Sequence, residues 1–143
     1  MSSSPYAYHP DMPDGCPLDG AEPAGTIYKA VSNFPATAAD FESDIETNKS
    51  GAKSNRCKNW GCSVWQSIEA AEHGRATYAH FRESYIVMGN LAPADGEILT
   101  TPSKKQPQHS TFWKVHQLDI SGKFVMVLEP EPGEDDDPLG PET

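Results

Sequence analysis

No run of about 18 or more apolar residues occurs anywhere in the chain, so nothing in it reads as a transmembrane helix. The opening residues, Met1 to Pro10, lack both a basic cluster and an apolar stretch and do not read as a secretory leader. Cysteine is scarce: Cys16, Cys57 and Cys62 make an odd total of three at spacings that match no disulfide framework. Buried free thiols in a reduced, cytoplasmic compartment are therefore the expectation. Cys57 and Cys62 have the spacing of half a zinc set, but a structural zinc takes four N or S ligands and the histidines are scattered. His73 and His80 would share a helix face two turns, about 10 Å, apart, so no metal is expected. Also missing are a Gly-rich phosphate loop ending in Lys-Ser/Thr, G-x-G-x-x-G, H-E-x-x-H and G-x-S-x-G.

Charge is abundant but uneven. The net charge is −10. Residues 1–25 carry four acids and no Lys or Arg, and residues 129–143 carry seven acids and again no base. Removing those eleven from the 21 acids of the chain leaves ten against eleven bases, a net of +1 for residues 26–128. The ends make the molecule acidic and the centre is almost neutral. Both ends are rich in chain breakers, with five prolines in the first 24 residues, and cannot bury enough surface to offset their conformational entropy. They are expected to be disordered (1–25 and 129–143) around a single domain at 26–128.

Within that domain Thr26 to Ser32 alternates in the manner of a strand. Thr37 and Asp40 form a capping-box-like pair ahead of Phe41, the anchor of a short helical turn. Residues 47–59 are polar and basic and read as a long loop. Trp60 to Trp65 reads as a short strand, and Ser67 caps a helix over about Ile68 to Arg82, with Gly74 in its middle implying close packing or a bend. Strands follow at Tyr85 to Leu91 and Glu97 to Thr100, then a basic loop at 101–108 and a further strand at 109–115. Val115 to Ile120 and Lys123 to Leu128 flank Ser121-Gly122 as a hairpin. The expected fold is α+β: one mostly antiparallel sheet of five or six strands with one main helix.

Candidate ligand-binding residues come from two stretches. His109, Thr111 and Trp113 alternate along a strand and so share a face, where an imidazole, a hydroxyl and a flat ring would suit a small polar ligand. Trp60, Ser63 and Trp65 pose the same choice between ligand contact and core packing. The basic residues cluster only in two loops, at Lys49 to Lys58 and at Lys104 and Lys105, so nucleic acid is not an expected partner.

These motifs resemble two groups. The order Pro35-x-Thr37-x-x-Asp40-Phe41, Trp60-Gly61-x-Ser63-Val64 and His109-x-Thr111-x-Trp113 resembles a set of small uncharacterised bacterial proteins. The order of elements, from a Tyr-Lys strand through Gly-x-Ser-Val-Trp to a helix rich in Ala and Tyr, is similar to ADP-ribosyltransferase-like domains. That second resemblance implies an NAD or nucleotide ligand. It places Lys29 where Arg or His is usual, Ser63 on the second strand, and Tyr78 or Phe81 beside the nicotinamide. The late glutamate of that group has no counterpart on a strand here; Glu129 and Glu131 have the E-x-E spacing but lie among prolines.

Two functional expectations follow. The first is a small-ligand domain, with NAD or another nucleotide stacked near Trp65 and Trp113 and held by Lys29, Ser63, His109 and Thr111. The second is a non-catalytic interaction module whose acidic ends engage a protein partner or the chain's own basic loops.

Overall fold

The alternating strand at Thr26–Val31 is the element from which the fold is built outward. In the computed structural model, which describes residues 8–131, it is strand β2 and pairs antiparallel with β4 (Tyr85–Asn90). Strand β7 (Phe124–Leu128) pairs with the other edge of β4, giving a three-stranded sheet in the order β2-β4-β7. A second, four-stranded sheet runs β1 (Glu22–Pro23), β5 (Gly96–Thr100), β6 (Ser110–Lys114), β3 (Cys62–Val64), again with antiparallel pairs. The α+β class is as expected, but the strands divide into two sheets of four and three. The divide follows from the chain at Ala24-Gly25, which passes from β1 in one sheet to β2 in the other.

The sheets are laced at Tyr28 and Trp65, whose backbone N–H and C=O groups exchange two hydrogen bonds of 2.8 Å. Between them lies an apolar core of Ile27, Val31, Phe41, Val64, Val87, Phe112, Ile120 and Phe124. Phe41 is delivered by the short 3-10 turn at Ala38–Phe41, where the Asp40 carboxylate accepts the Thr37 N–H at 2.8 Å, as the cap pairing predicts. A second cluster, Trp65, Ala70, Ala71 and Ile86, forms where helix α1 (Ile68–Thr77) covers the three-stranded sheet.

Ser67 caps α1 by accepting the Ala70 N–H at 3.1 Å. The expected single helix to Arg82 is instead two: α1 stops at Tyr78, in extended conformation, and α2 occupies Ala79–Arg82. The Thr77 hydroxyl donates back to the His73 carbonyl at 3.0 Å, a local bond of the kind that bends helices. The expected hairpin at Ser121-Gly122 is also replaced. Residues 115–120 form no strand, Gln117 takes a φ of 66° and a 3-10 turn spans Ser121–Lys123, so β7 pairs with β4.

The N-terminal segment is attached from Tyr8 onward, ahead of the boundary expected at residue 26. The Tyr8 hydroxyl donates to Glu97 at 2.8 Å, His9 packs on Trp60 and His116, and β1 pairs with β5. Cys16 and Cys57 form a disulfide, and Cys62 remains free and buried. The expectation of three free thiols is thereby corrected, and the cytoplasmic address loses the support it drew from them. Odd numbers and irregular spacing do not reveal a pair that only the fold brings together. At the other end, Arg75, a residue only 6% exposed, donates through its guanidinium to the carbonyls of Ser84 and Glu129 at 2.8 and 2.7 Å and pairs with Glu131 at 3.4 Å. The first acidic residues after β7 are thus held on α1. The disorder expected of residues 1–7 and 132–143 lies outside the described residues. Among the described residues no helix is long and apolar enough to cross a membrane.

Two stability tests follow. The Cys16–Cys57 link spans a sequence separation of 41, for which loop-closure entropy gives about 4 kcal/mol. Reduction with a phosphine should lower the melting temperature by roughly ten degrees or more, and an unchanged melt would mean that the covalent link adds nothing to the folded state. For Gly74, an added Cβ would sit 2.5 Å from Cζ2 of Trp65. The Gly74→Ala gain in helix propensity, about 1 kcal/mol, is opposed by an overpacking cost of about 1–3 kcal/mol. The Trp65 ring meets Phe81 edge-on and donates its N–H to Gln106, so the clash should win by roughly 1 kcal/mol in urea unfolding. A stabilised variant would show that the indole yields.

Candidate functional site

Antiparallel pairing of β3 with β6 sets Ser63 directly opposite Thr111, and His109 lies two residues before Thr111 on the same face. This register carries the His109 ring to the Ser63 side chain, with Nε2 2.9 Å from the hydroxyl oxygen. The close approach of the two strands depends on Gly61. A Cβ there would lie 2.5 Å from Cγ2 of Thr111 and 2.9 Å from the Phe112 carbonyl oxygen.

On its other side His109 is held by Thr101. Nδ1 lies 3.0 Å from the Thr101 carbonyl oxygen and 2.9 Å from its hydroxyl, which in turn lies 2.7 Å from the Thr111 hydroxyl. A carbonyl only accepts, so Nδ1 bears the proton. In the neutral ring Nε2 is then bare and accepts the Ser63 O–H. Burial pushes the His109 pKa below the ordinary histidine value, and the nearby Lys58 and Lys29 push it the same way. The Thr101 carbonyl and Asp44 act in the opposite sense and are outweighed. The site therefore holds a neutral imidazole in one tautomer.

Ser63 and His109 open on a cleft of about 50 Å³ lined also by Lys29, Ala30, Trp65, Phe81 and Gln106. That is far below the roughly 300–1,000 Å³ of a pocket enclosing a whole drug-sized ligand; it suits a group of a few heavy atoms. Lys29 donates from Nζ to the Ser63 carbonyl at 3.1 Å, which fixes the ammonium at the cleft wall. Gln106 accepts the indole N–H of Trp65 at 3.0 Å. An indole N–H only donates, so the amide oxygen faces Trp65 and the amide NH2 is left for a ligand. A wider, open groove of about 430 Å³ is lined by Leu18, Arg56, Cys57, Lys58 and Thr101, and Thr101 is the residue that holds His109.

Of the residues expected from the sequence, Lys29, Ser63, Trp65 and His109 line one cleft. Thr111 is buried behind it, bonded to Thr101 rather than exposed to a ligand. Trp113 keeps the expected strand face, but the turn at Cys57 covers it: the ring is fully buried and its N–H donates to the Cys57 carbonyl at 2.9 Å. It is core, and no ligand stacks on it. Trp65 is 4% exposed and offers the cleft an edge at most. Tyr78 does not line the cleft; it packs edge-on against Phe81, which does, and lies under Lys105 at 6.0 Å. Glu129 and Glu131 are at Arg75 and do not line it. Sequence reasoning missed Thr101 and Gln106, both in a loop whose path no periodicity reports. Among the described residues no group of three or more His, Cys, Asp or Glu is placed to hold a metal ion.

The depressed His109 pKa carries a pH signature. The unfolded chain binds the proton more readily than the folded one, so this stabilisation is present above pH about 6.5 and is lost as the pH falls through the lower folded value. Wild-type protein should lose stability to urea between pH 7.5 and 5, and His109→Gln should lose less over that interval. Glu46, whose carboxyl is also held below its ordinary value by its bonds to Ser43 although burial opposes this, acts in a lower window, below about 4.5. Equal slopes for the two proteins would show that the imidazole is not held neutral.

No family model, curated protein or solved structure matches the chain.

Proposed function

We propose that the protein is a small-ligand domain whose ligand is anionic and places a compact head group in the cleft between β2, β3 and the loop at 101–109. The observation that carries this reading is the convergence of Lys29, Ser63, Gln106 and His109 on one small space. A cation, an amide and two groups able to exchange a proton recognise oxygen-rich groups such as carboxylates, phosphates and amides. Arg56 and Lys58 in the neighbouring groove, with the apolar side chain of Leu18 beside them, suit the phosphates and flat base of a nucleotide. NAD and ADP-ribose are the ligands to which the ADP-ribosyltransferase-like resemblance points, and of the residues it singles out Lys29, Ser63 and Phe81 line the cleft while Tyr78 does not. The cleft volume limits what enters to the head group, so the rest of a dinucleotide would lie along the groove.

The test is a thermal-shift titration of the full chain with NAD, ADP-ribose, mononucleotides and short dicarboxylates. A ligand at a hundredfold its dissociation constant stabilises by about 2.7 kcal/mol, several degrees for a domain of this size. A saturable rise that falls sharply in Lys29→Met supports the reading. A flat response across the panel, or a rise that Lys29→Met leaves unchanged, overturns it.

A further inference from the structure

We infer that Ser63 is a nucleophile activated by His109, and that the protein cleaves short-chain acyl esters. This rests on the reading of the cleft as a ligand site and deepens it: the acyl group occupies the place of the head group, and the carboxylate it yields is the anion. Three features carry it. The hydroxyl and the base are in hydrogen-bond contact at 2.9 Å. The base is oriented by a third group, the Thr101 carbonyl, which fixes the proton on Nδ1 and turns the bare Nε2 toward Ser63. And the pair is not sealed in the core, since Ser63 is exposed and faces the cleft. A nucleophile, a base and an orienting acceptor in this order is the arrangement that covalent catalysis by serine requires.

The same wall supplies donors for the charge that would develop. The Lys29 ammonium is tied to the Ser63 carbonyl, and the Gln106 amide is locked by Trp65 with its NH2 free. Both line the space next to the hydroxyl, where donors stabilise an oxyanion. The cleft volume sets the substrate class: about 50 Å³ admits an acetyl-sized acyl group and excludes a long acyl chain, with the alcohol part left outside it.

The step balances without a metal or redox partner. The Ser63 oxygen attacks the ester carbonyl carbon as its proton passes to Nε2 of His109. The bond from that carbon to the alcohol oxygen breaks, and the alcohol leaves with the proton from Nε2. Water then attacks the acyl-serine, giving one proton to His109. The bond from the acyl carbon to the Ser63 oxygen breaks, that oxygen recovers the proton from His109, and the acid departs with the other water proton, which it releases to solvent on becoming the carboxylate.

The experiment uses the full-length, disulfide-linked chain with p-nitrophenyl acetate, p-nitrophenyl octanoate and a fluorophosphonate probe, read by p-nitrophenolate release and peptide mass mapping. The expected result is phosphonylation at Ser63, acetate cleaved in preference to octanoate, and both reactions lost in Ser63→Ala. His109→Asn should slow acetate turnover by about a hundredfold or more, the usual contribution of a general base. In wild type the rate should fall only below the ordinary histidine range. Ser63 is exposed, so Ser63→Ala should fold, and its circular dichroism is checked alongside. Acyl or phosphonyl adducts on lysine or tyrosine with Ser63 unmodified would overturn the inference, as would rates equal in wild type and Ser63→Ala. Failure here with a positive ligand titration leaves a binding site without catalysis. Failure of both removes the cleft reading altogether.

Discussion

Two backbone hydrogen bonds between Tyr28 and Trp65 join the sheets, and Trp65, on one side of them, is held through its side chain as well. The Trp65 ring lies so near Gly74 of α1 that no Cβ fits between them, meets Phe81 edge-on at 5.0 Å, and donates its N–H to Gln106. Backbone, helix packing and loop position therefore pass through one residue. A flexible side chain would not serve: the indole is rigid, large and carries one donor, so a shift in any of its partners must be taken up by the others. The cleft inherits its geometry from this. Lys29 follows Tyr28 on β2, Ser63 lies two residues before Trp65, and Gln106 is bonded to its ring.

The loop at 101–109 depends on that scaffold in turn. It is polar, contains two prolines and has no strand or helix of its own, yet it must hold an imidazole in one tautomer. It is tied at several points: Thr101 N–H donates to the His109 carbonyl, Gln106 takes the Trp65 N–H, and Lys105 lies over Tyr78. Each tie is modest. Together they fix the Thr101 carbonyl, and a fixed acceptor at Nδ1 is what makes Nε2 available to Ser63.

Much of this arrangement was legible in the sequence. The strand at Thr26, the caps at Thr37 and Ser67 and the short strand before Trp65 follow from local chemistry, and local chemistry survives folding. Ser63, Trp65 and His109 could be chosen because polar residues recurring at strand spacing beside aromatics are unusual, whereas Lys29 came only from the resemblance to ADP-ribosyltransferase-like domains. What failed was anything set by contacts distant in sequence. Trp113 has the right parity but is covered by a turn more than fifty residues earlier. Cys16 and Cys57 are 41 residues apart, and the proline-rich composition around Cys16 reads as loose chain even though a covalent link holds it down. The break at Tyr78 has a weak local signal in Thr77, but Thr in a helix does not by itself announce an end.

The lysines near the cleft have two effects that are linked. Lys29 and Lys58 lower the proton affinity of His109, and they are also the groups an anion would meet on entering. An anion placed among them would screen their repulsion and raise the affinity of His109 for a proton, while a proton on His109 would strengthen the hold on the anion; the two must be reciprocal because they are one coupling free energy. An acyl ester carries no charge on its reacting group and leaves the base neutral, ready to accept the Ser63 proton. The carboxylate product is the species that favours protonated His109. The cations that add to burial in keeping the base free at the start of the reaction therefore also bind the product, and release of the carboxylate, rather than attack by Ser63, is the step this electrostatic arrangement opposes.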